Sequence, residues 1–186
     1  MIRDIIKKYK FDINSDRLGP DCPFSHWKLY FRKSMKKLCK EKFAYFGENS
    51  EFRAGAFADA CSKIYIGNNV IIRPNSIIFA EPSGEQGKIF IEDNCLLGSG
   101  VHIYASNHSF NNPDVDIFYQ GQQEGKDVKL MKGCWIGANS IILPGVVIGK
   151  NCVIGAGSVV TNSIPDFCVA VGNPARVIKK IGEKII

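Results

Sequence analysis

The feature that most constrains the fold is a six-residue repeat between Cys134 and Ile164. Its aliphatic positions recur without a slip, at Ile136, Ile142, Ile148, Ile154 and Val160. The residue four positions after each is mostly small, and the one before that is Asn, Gly or Ser. This period fits neither an α-helix nor a long strand, so each hexad is predicted to be a short strand followed by a corner. Three such strands complete one triangular coil, and coils stacked about 4.8 Å apart form a parallel β-helix.

The repeat extends well beyond this stretch. Hexads begin weakly at Phe46 and Phe52, and clear aliphatic positions follow at Ile66, Ile72, Ile78, Ile91, Leu97 and Ile103. The predicted corner residues are Asn69, Asn75, Asn94, Gly100, Asn139, Gly145, Asn151 and Gly157. Asn and Gly adopt positive φ more readily than other residues, so two periodicities agree on one register. We therefore predict an all-β core over residues 46–165 with an inserted loop at 105–130, preceded by a helical extension at 1–45.

Composition places the chain in a broad class. Its 186 residues suit one domain, and 45% hydrophobic with 23% charged residues is typical of a soluble globular protein. We find no signal-peptide pattern and no apolar run approaching about 18 residues, so neither export nor membrane spanning is expected. The seven cysteines are scattered and contain no CxxC pair. They are predicted to fill the core, which favours a reducing cytoplasm.

The two ends of the chain lie outside the repeat. Met1–Lys10 is predicted to form a short helix, and Trp27–Phe43 carries apolar residues at helical spacing. Seven basic residues and one acid lie between Trp27 and Lys42, a net +6 that equals the net charge of the whole protein. This segment is expected to be an amphipathic helix that covers the coil or a neighbouring subunit. The alternative is peripheral contact with an anionic membrane or a lipid-linked saccharide. The tail at 166–186 is predicted to end in a short basic helix.

Four motifs add a family resemblance to this reading of the residues. They are GVHIYASNH at 100–108, WIG at 135–137, GAGSVVT at 155–161 and VGNPARVI at 171–178. Together they resemble the hexapeptide-repeat O-acetyltransferases, in the branch that holds the maltose, galactoside and capsule or lipopolysaccharide sugar acetyltransferases. The resemblance covers residues 46–182 and implies a left-handed β-helix, acetyl-CoA as acyl donor, and a homotrimer with active sites between subunits.

The candidate catalytic residue is His108, where the repeat fails. Acetyl transfer to a hydroxyl needs a base, and an imidazole suits that role near neutral pH. The resemblance assigns the role to the histidine of the Asn-His step, which here is His108. A zinc site would need clustered ligands, and the only histidines are His26, His102 and His108. We therefore expect no metal.

The resemblance also implies a set of ligand-binding residues. Pantetheine is expected along Gly137, Ala138, Gly155 and Ala156, with Trp135 beside the acetyl group and its acceptor. Thr161, Arg176, Lys179 and Lys180 are expected near the nucleotide phosphates. Asn75 is either a residue near the acceptor hydroxyl or an ordinary corner. Small residues at the track positions also suit the fold itself, whatever binds there.

The function expected from these residues is acetyl transfer from acetyl-CoA to a sugar hydroxyl, in surface polysaccharide biosynthesis. The acceptor would be a small-molecule or lipid-linked saccharide, and no nucleic acid partner is expected. Three alternatives remain open: an N-acetyltransferase acting on an amino sugar, a metal-dependent enzyme on the same coil, and a scaffold without catalysis.

Overall fold

The computed structural model describes residues 1–182. Its helices are α1 (Ile2–Asn14), α2 (Pro23–His26) and α3 (Arg32–Lys42), with single 3₁₀ turns at Trp27–Tyr30, Cys61–Lys63 and Ile117–Tyr119. Its strands are β1 (Arg17–Leu18), β2 (Tyr45–Phe46), β3 (Glu51–Phe52), β4 (Phe57–Asp59), β5 (Ile64–Ile66), β6 (Ile71–Ile72), β7 (Ile77–Phe79), β8 (Ile89–Ile91), β9 (Leu96–Leu97), β10 (His102–Tyr104), β11 (Val128–Leu130), β12 (Trp135–Ile136), β13 (Ile141–Ile142), β14 (Val147–Ile148), β15 (Val153–Ile154), β16 (Val159–Val160), β17 (Cys168–Gly172) and β18 (Ala175–Lys180).

The strands form three sheets, one on each side of a triangular coil. Sheet A has the order β1-β4-β7-β10-β13-β16, sheet B has β14-β11-β8-β5-β2, and sheet C has β18-β17-β15-β12-β9-β6-β3. Most strands pair in parallel with the strand three places later, as expected when three strands complete one coil. Among these named strands, only β1 with β4 and β17 with β18 pair antiparallel. The parallel β-helix predicted from the hexads is confirmed.

The corners between strands follow the predicted register. All eight corner residues named above have positive φ, between 50° and 82°. An L-residue at such an angle is strained unless its side chain is absent or can hydrogen-bond locally, which explains why only Asn and Gly stand there. The corners therefore turn the chain at the positions that the sequence assigns to them.

Stacked aliphatic residues fill the interior of the coil. Ile66, Ile72, Ile78, Ile103 and Ile136 have no exposed surface, and each such side chain contributes about 1.5–3 kcal/mol through burial. Small inward residues leave room for these side chains. Where that small residue is a serine, its hydroxyl finds a partner: Ser140 Oγ donates to the Gly155 carbonyl at 3.0 Å. All seven cysteines are buried free thiols.

Three details differ from the sequence predictions. The segment Trp27–Phe43 is not one helix, because Phe31 takes extended angles (φ −123°, ψ 119°) between the 3₁₀ turn and α3. The coil resumes at Val128, before the expected end of the inserted loop, because Val128 and Leu130 are buried in sheet B. The tail does not turn into a helix at Ala175–Lys180, which instead pairs with β17 as a strand. Residues 183–186 lie outside the described part.

The N-terminal segment packs against the first coils. Met35, Leu38 and Cys39 are buried against the coil, and the ring of Phe43 stacks on that of Phe46. A salt bridge from α3 reinforces this packing, since Lys40 Nζ lies 2.7 Å from a carboxylate oxygen of Glu48. Hydrogen bonds from Lys36, which has the larger effect, and from Lys40 lower the pKa of the Glu48 carboxyl to about 2.

The same segment keeps three aromatic side chains exposed, those of Trp27, Tyr30 and Phe31. Helix α3 thus packs on the coil, as its amphipathic pattern indicates, whereas the residues just before it are exposed. Within residues 1–182, no helix has the length and apolarity needed to cross a membrane.

Candidate active site

A groove of about 520 Å³ runs along the outer edge of sheet C. Its floor is made by the outward side chains of successive strands, among them Ile71, Leu96 and Val153, and by Trp135. Trp135 is 56% exposed although it lies within a strand, because its neighbour Ile136 is the inward residue. The groove brings together five of the predicted ligand-binding residues, which are Trp135, Gly137, Ala138, Gly155 and Ala156.

Close approach between coils keeps the groove free of side chains. A Cβ built on Gly98 would lie 2.6 Å from the backbone nitrogen of Ala138, and one on Gly137 would lie 2.5 Å from that of Ala156. A Cβ on Gly155 would lie 2.5 Å from a methyl carbon of Val171. No residue with a side chain fits these positions without displacing the next coil. The stacked glycines therefore leave a bare track along the corner between sheets C and A.

His108 lies on a separate projection. Residues 105–127, called the arm below, leave the coil after β10 as two antiparallel segments. The Ala105 carbonyl accepts from the Lys126 N–H at 2.8 Å, and further out the Gly121 carbonyl accepts from the Ser109 N–H at 2.9 Å. His108 pairs with Gln122 across the arm, and its imidazole is exposed in the single chain. The arm thus presents His108 outward at the corner between sheets A and B.

The side-chain amide of Gln122 lies beside this imidazole, with Nε2 3.3 Å from His108 Nδ1. The two ends of such an amide exchange by a half turn, so its carbonyl oxygen can face Nδ1 instead. In that orientation the N–H at Nδ1 donates a hydrogen bond to the Gln122 carbonyl oxygen, and the lone pair of Nε2 is available to accept a proton.

A buried carboxylate anchors the base of the arm. Glu81 is only 4% exposed and accepts hydrogen bonds from the backbone N–H and the hydroxyl of Ser83, at 3.1 and 2.5 Å. Burial alone would raise the pKa of the Glu81 carboxyl. Hydrogen bonds from Ser106 and Ser83, together with the charge of Lys63, outweigh burial and leave that pKa below its usual value. Glu81 therefore holds the first residues of the arm most firmly when it is ionised.

Replacing Glu81 with glutamine is expected to lower the melting temperature by a few degrees at pH 7. Because the folded-state pKa lies below the usual 4.5, the stabilisation is present above that value and is lost as the pH falls through the folded-state pKa. Melting curves of wild type and variant between pH 3 and pH 7 should therefore converge at the acid end. Glu85→Gln, an exposed change in the same connection between β7 and β8, is the control. A difference that stays constant with pH would contradict this assignment.

The remaining predicted residues lie elsewhere on the chain. Thr161 is exposed after β16, at the same corner between sheets A and B as His108. Arg176, Lys179 and Lys180 lie on β18, at the end of sheet C that adjoins the groove. Asn75 is a corner residue with φ 64° on the groove side of sheet A, and its N–H donates to the Gly55 carbonyl at 3.0 Å.

One chain therefore does not bring all of these residues together. His108 and Thr161 lie at one edge of sheet A, and the groove lies at the other. Within residues 1–182, no group of three or more His, Cys, Asp or Glu side chains is arranged to hold a metal ion. Burial raises the pKa of the Cys39 and Cys61 thiols, which disfavours either as a nucleophile.

Three residues of the site escape reasoning from sequence alone. Arg73 lines the groove two residues after Ile71, and the corresponding residue of each of the next three coils is glycine. That departure from the glycine pattern is visible in the sequence and could have identified it. Gln122 and Glu81 gave no signal, because their roles depend on how the arm folds back on itself.

The fold and the groove define a class: a parallel β-helix with a groove along one corner that stacked glycines keep free of side chains, and a histidine on a protruding arm. Comparison with known proteins specifies the family. The sequence profile described as "Bacterial transferase hexapeptide (six repeats)" matches residues 127–162, and "Hexapeptide repeat of succinyl-transferase" matches residues 88–105. A Saccharomyces cerevisiae protein named as an acetyltransferase is 41% identical over 128 residues, which cover 69% of this chain and 61% of the yeast protein.

Two sugar acetyltransferases extend the match. The galactoside O-acetyltransferase of Escherichia coli K12 is 34% identical over 149 residues, covering 80% of this chain and 70% of that enzyme. The structure of a galactoside acetyltransferase in complex with coenzyme A superposes with a TM-score of 0.76 at 28% identity, covering 96% of this chain and 82% of that one. The chain belongs to the hexapeptide-repeat acetyltransferases. The family and the left-handed parallel β-helix predicted from the motifs are confirmed.

Proposed function

We propose that this protein transfers the acetyl group of acetyl-CoA to a hydroxyl of a saccharide, with His108 as general base. The observation that carries the proposal is the glycine-lined track through Gly98, Gly137 and Gly155. Pantetheine is a long, narrow chain with amide groups, and a strip of backbone without side chains suits its length and hydrogen-bonding capacity. The coenzyme A complex of the related galactoside acetyltransferase supports the same donor.

Charge sets the direction in which the donor lies. The basic residues Arg176, Lys179 and Lys180 stand on β18, beyond the last complete coil. Guanidinium and ammonium groups bind phosphate through charge-assisted hydrogen bonds, so the nucleotide end of the donor belongs at that end of the groove. The thioester then lies toward the earlier coils, where Trp135 and Ala138 border the groove.

The active site is proposed to form between two chains. Because His108 and the groove occupy opposite edges of sheet A, a neighbouring chain must supply whichever is missing. The arm also exposes apolar side chains, of which Phe118 is 87% exposed in the single chain, and a neighbour would cover them. A cyclic trimer repeats one such contact three times and builds equivalent sites.

The reaction is a direct attack on the thioester carbonyl. His108 Nε2 accepts the proton of the acceptor hydroxyl as its oxygen forms a bond to the carbonyl carbon. The tetrahedral intermediate then collapses, the carbon–sulfur bond breaks, and the imidazolium returns the proton to the departing thiolate of CoA. The products are an acetyl ester and CoA–SH, and no residue becomes acetylated. Holding both substrates in one cleft supplies much of the remaining acceleration.

The test of this proposal is acetylation of a panel of mono- and oligosaccharides, followed by mass spectrometry. A gain of one acetyl group that mild alkali removes identifies an O-acetyl ester. An alkali-stable product formed only on amino sugars would favour the N-acetyltransferase alternative. Acetyl-CoA at 100 times its Kd should also stabilise the protein by about 2.7 kcal/mol. An absence of both the product and this stabilisation would contradict the proposal.

A further inference from the structure

The groove does not end in glycine. Parallel pairing places Ile71, Leu96, Trp135 and Val153 side by side in sheet C, so the residues two positions later form one column along the corner. That column reads Arg73, Gly98, Gly137 and Gly155 from the second coil to the fifth. Glycine is required at the last three positions because any Cβ there would meet the next coil. Arg73 is thus the only one of these four residues with a side chain, and it lies at the end of the track that is farthest from β18.

Arg73 also differs electrically from its surroundings. It is the one charged residue among the described residues that line the groove. One coil earlier, Arg53 is neutralised by Glu51, whose carboxylate oxygen lies 2.9 Å from Arg53 Nε. Within residues 1–182, no carboxylate pairs with Arg73, which is exposed. The groove therefore ends in an uncompensated guanidinium.

The position of Arg73 separates it from the donor phosphates. The basic residues on β18 lie beyond the fifth coil, and Arg73 lies on the second. Three coil spacings of about 4.8 Å put roughly 14 Å between Arg73 and Gly155. All phosphates of CoA belong to its nucleotide half. A donor bound with those phosphates at β18 can bring only its acyl end near Arg73, and an acetyl thioester carries no charge. An anionic group that pairs with Arg73 must then come from the acceptor.

We infer that Arg73 binds an acidic group of the acceptor, so that the saccharide acetylated by this protein is anionic. Guanidinium binds carboxylate and phosphate through two parallel hydrogen bonds, and either group would supply the missing charge. The inference rests on the proposed function and adds the chemical class of the acceptor to it.

The test compares pairs of acceptors that differ at one group, which is charged in one member and neutral in the other. The methyl glycosides of galacturonic acid and of N-acetylneuraminic acid are each paired with their carboxyl methyl ester, and galactose 1-phosphate is paired with methyl galactoside. Calorimetry on the CoA-saturated protein measures binding, and a separate assay measures turnover. At least one acid should bind about tenfold or more tightly than its neutral partner. Arg73→Gln should remove that preference and leave the Kd of acetyl-CoA unchanged, and Arg73→Lys should retain part of it.

Arg53→Gln, in the adjacent coil, is the matched control and should leave the preference for acids intact. Equal binding of acid and neutral partner in all three pairs would overturn the inference. Weaker acetyl-CoA binding by Arg73→Gln, with acid and neutral acceptors affected alike, would overturn it too by assigning Arg73 to the donor. An acid preference that depends on Arg73 without any acetyl transfer would uphold the inference and contradict the proposed function instead.

Discussion

If the proposed function is correct, we expect that replacing His108 with alanine will lower kcat for saccharide acetylation by about 10²-fold or more and leave the affinity for acetyl-CoA unchanged. The loss is expected because the acceptor hydroxyl then has no base to take its proton as it attacks. Donor affinity is expected to be preserved because His108 is proposed to act on the acceptor hydroxyl, and its replacement leaves every residue that lines the groove unchanged. Steady-state kinetics with both substrates varied, and calorimetry with CoA, measure the two effects separately.

Asn111→Ala, an exposed change on the same arm, is the control for any general disturbance of this projection. It should keep nearly the full rate. A His108→Ala enzyme with normal kcat would remove the proposed mechanism. A variant that loses CoA affinity as strongly as turnover would instead show that the arm contributes to donor binding. Size-exclusion chromatography of both variants establishes whether their assembly is that of the wild type.

The coil was predictable because its rule is local. Each hexad repeats the same physical demand: one inward aliphatic residue and one residue that tolerates positive φ. Ile136 and Asn139 each satisfy it at their own positions, and φ at Asn139 is 57°, as the corner requires. Agreement across successive hexads turns weak single-residue preferences into a firm register.

The errors occur where tertiary contacts override local preference. The residues of Ala175–Lys180 are compatible with a helix or a strand. They form a strand because the open edge of β17 provides backbone hydrogen-bond partners. At Phe31 the chain leaves helical angles between two helical turns. The family resemblance predicted a track along Gly137 and Gly155, and the groove lies there. It did not predict Arg73, which departs from the glycine pattern of the later coils.

A second experiment addresses how the two halves of the site meet. Ala156 is exposed in the groove, so Ala156→Trp should fill the track without entering the core and should abolish donor binding. His108→Ala removes the base and leaves the track open. Each variant alone is expected to have about 1% of wild-type activity or less. The two defects lie at different edges of the chain, and mixed assemblies can therefore distinguish a site within one chain from a site between chains.

Co-expression of the two variants with different affinity tags, followed by purification on both, isolates assemblies that contain both chains, which are mixed trimers if the proposed trimer forms. If each site combines the arm of one chain with the groove of its neighbour, one site in each mixed trimer has an intact His108 and an open track, whichever chain is present twice. Activity should then return to about one third of wild type. If arm and groove of the same chain cooperate, every site carries one defect and activity stays near 1% or below. Trimers assembled from two differently tagged copies of His108→Ala control for effects of the tags. Recovery to about a third would establish the interchain site, because no other arrangement of these two lesions regenerates a complete one.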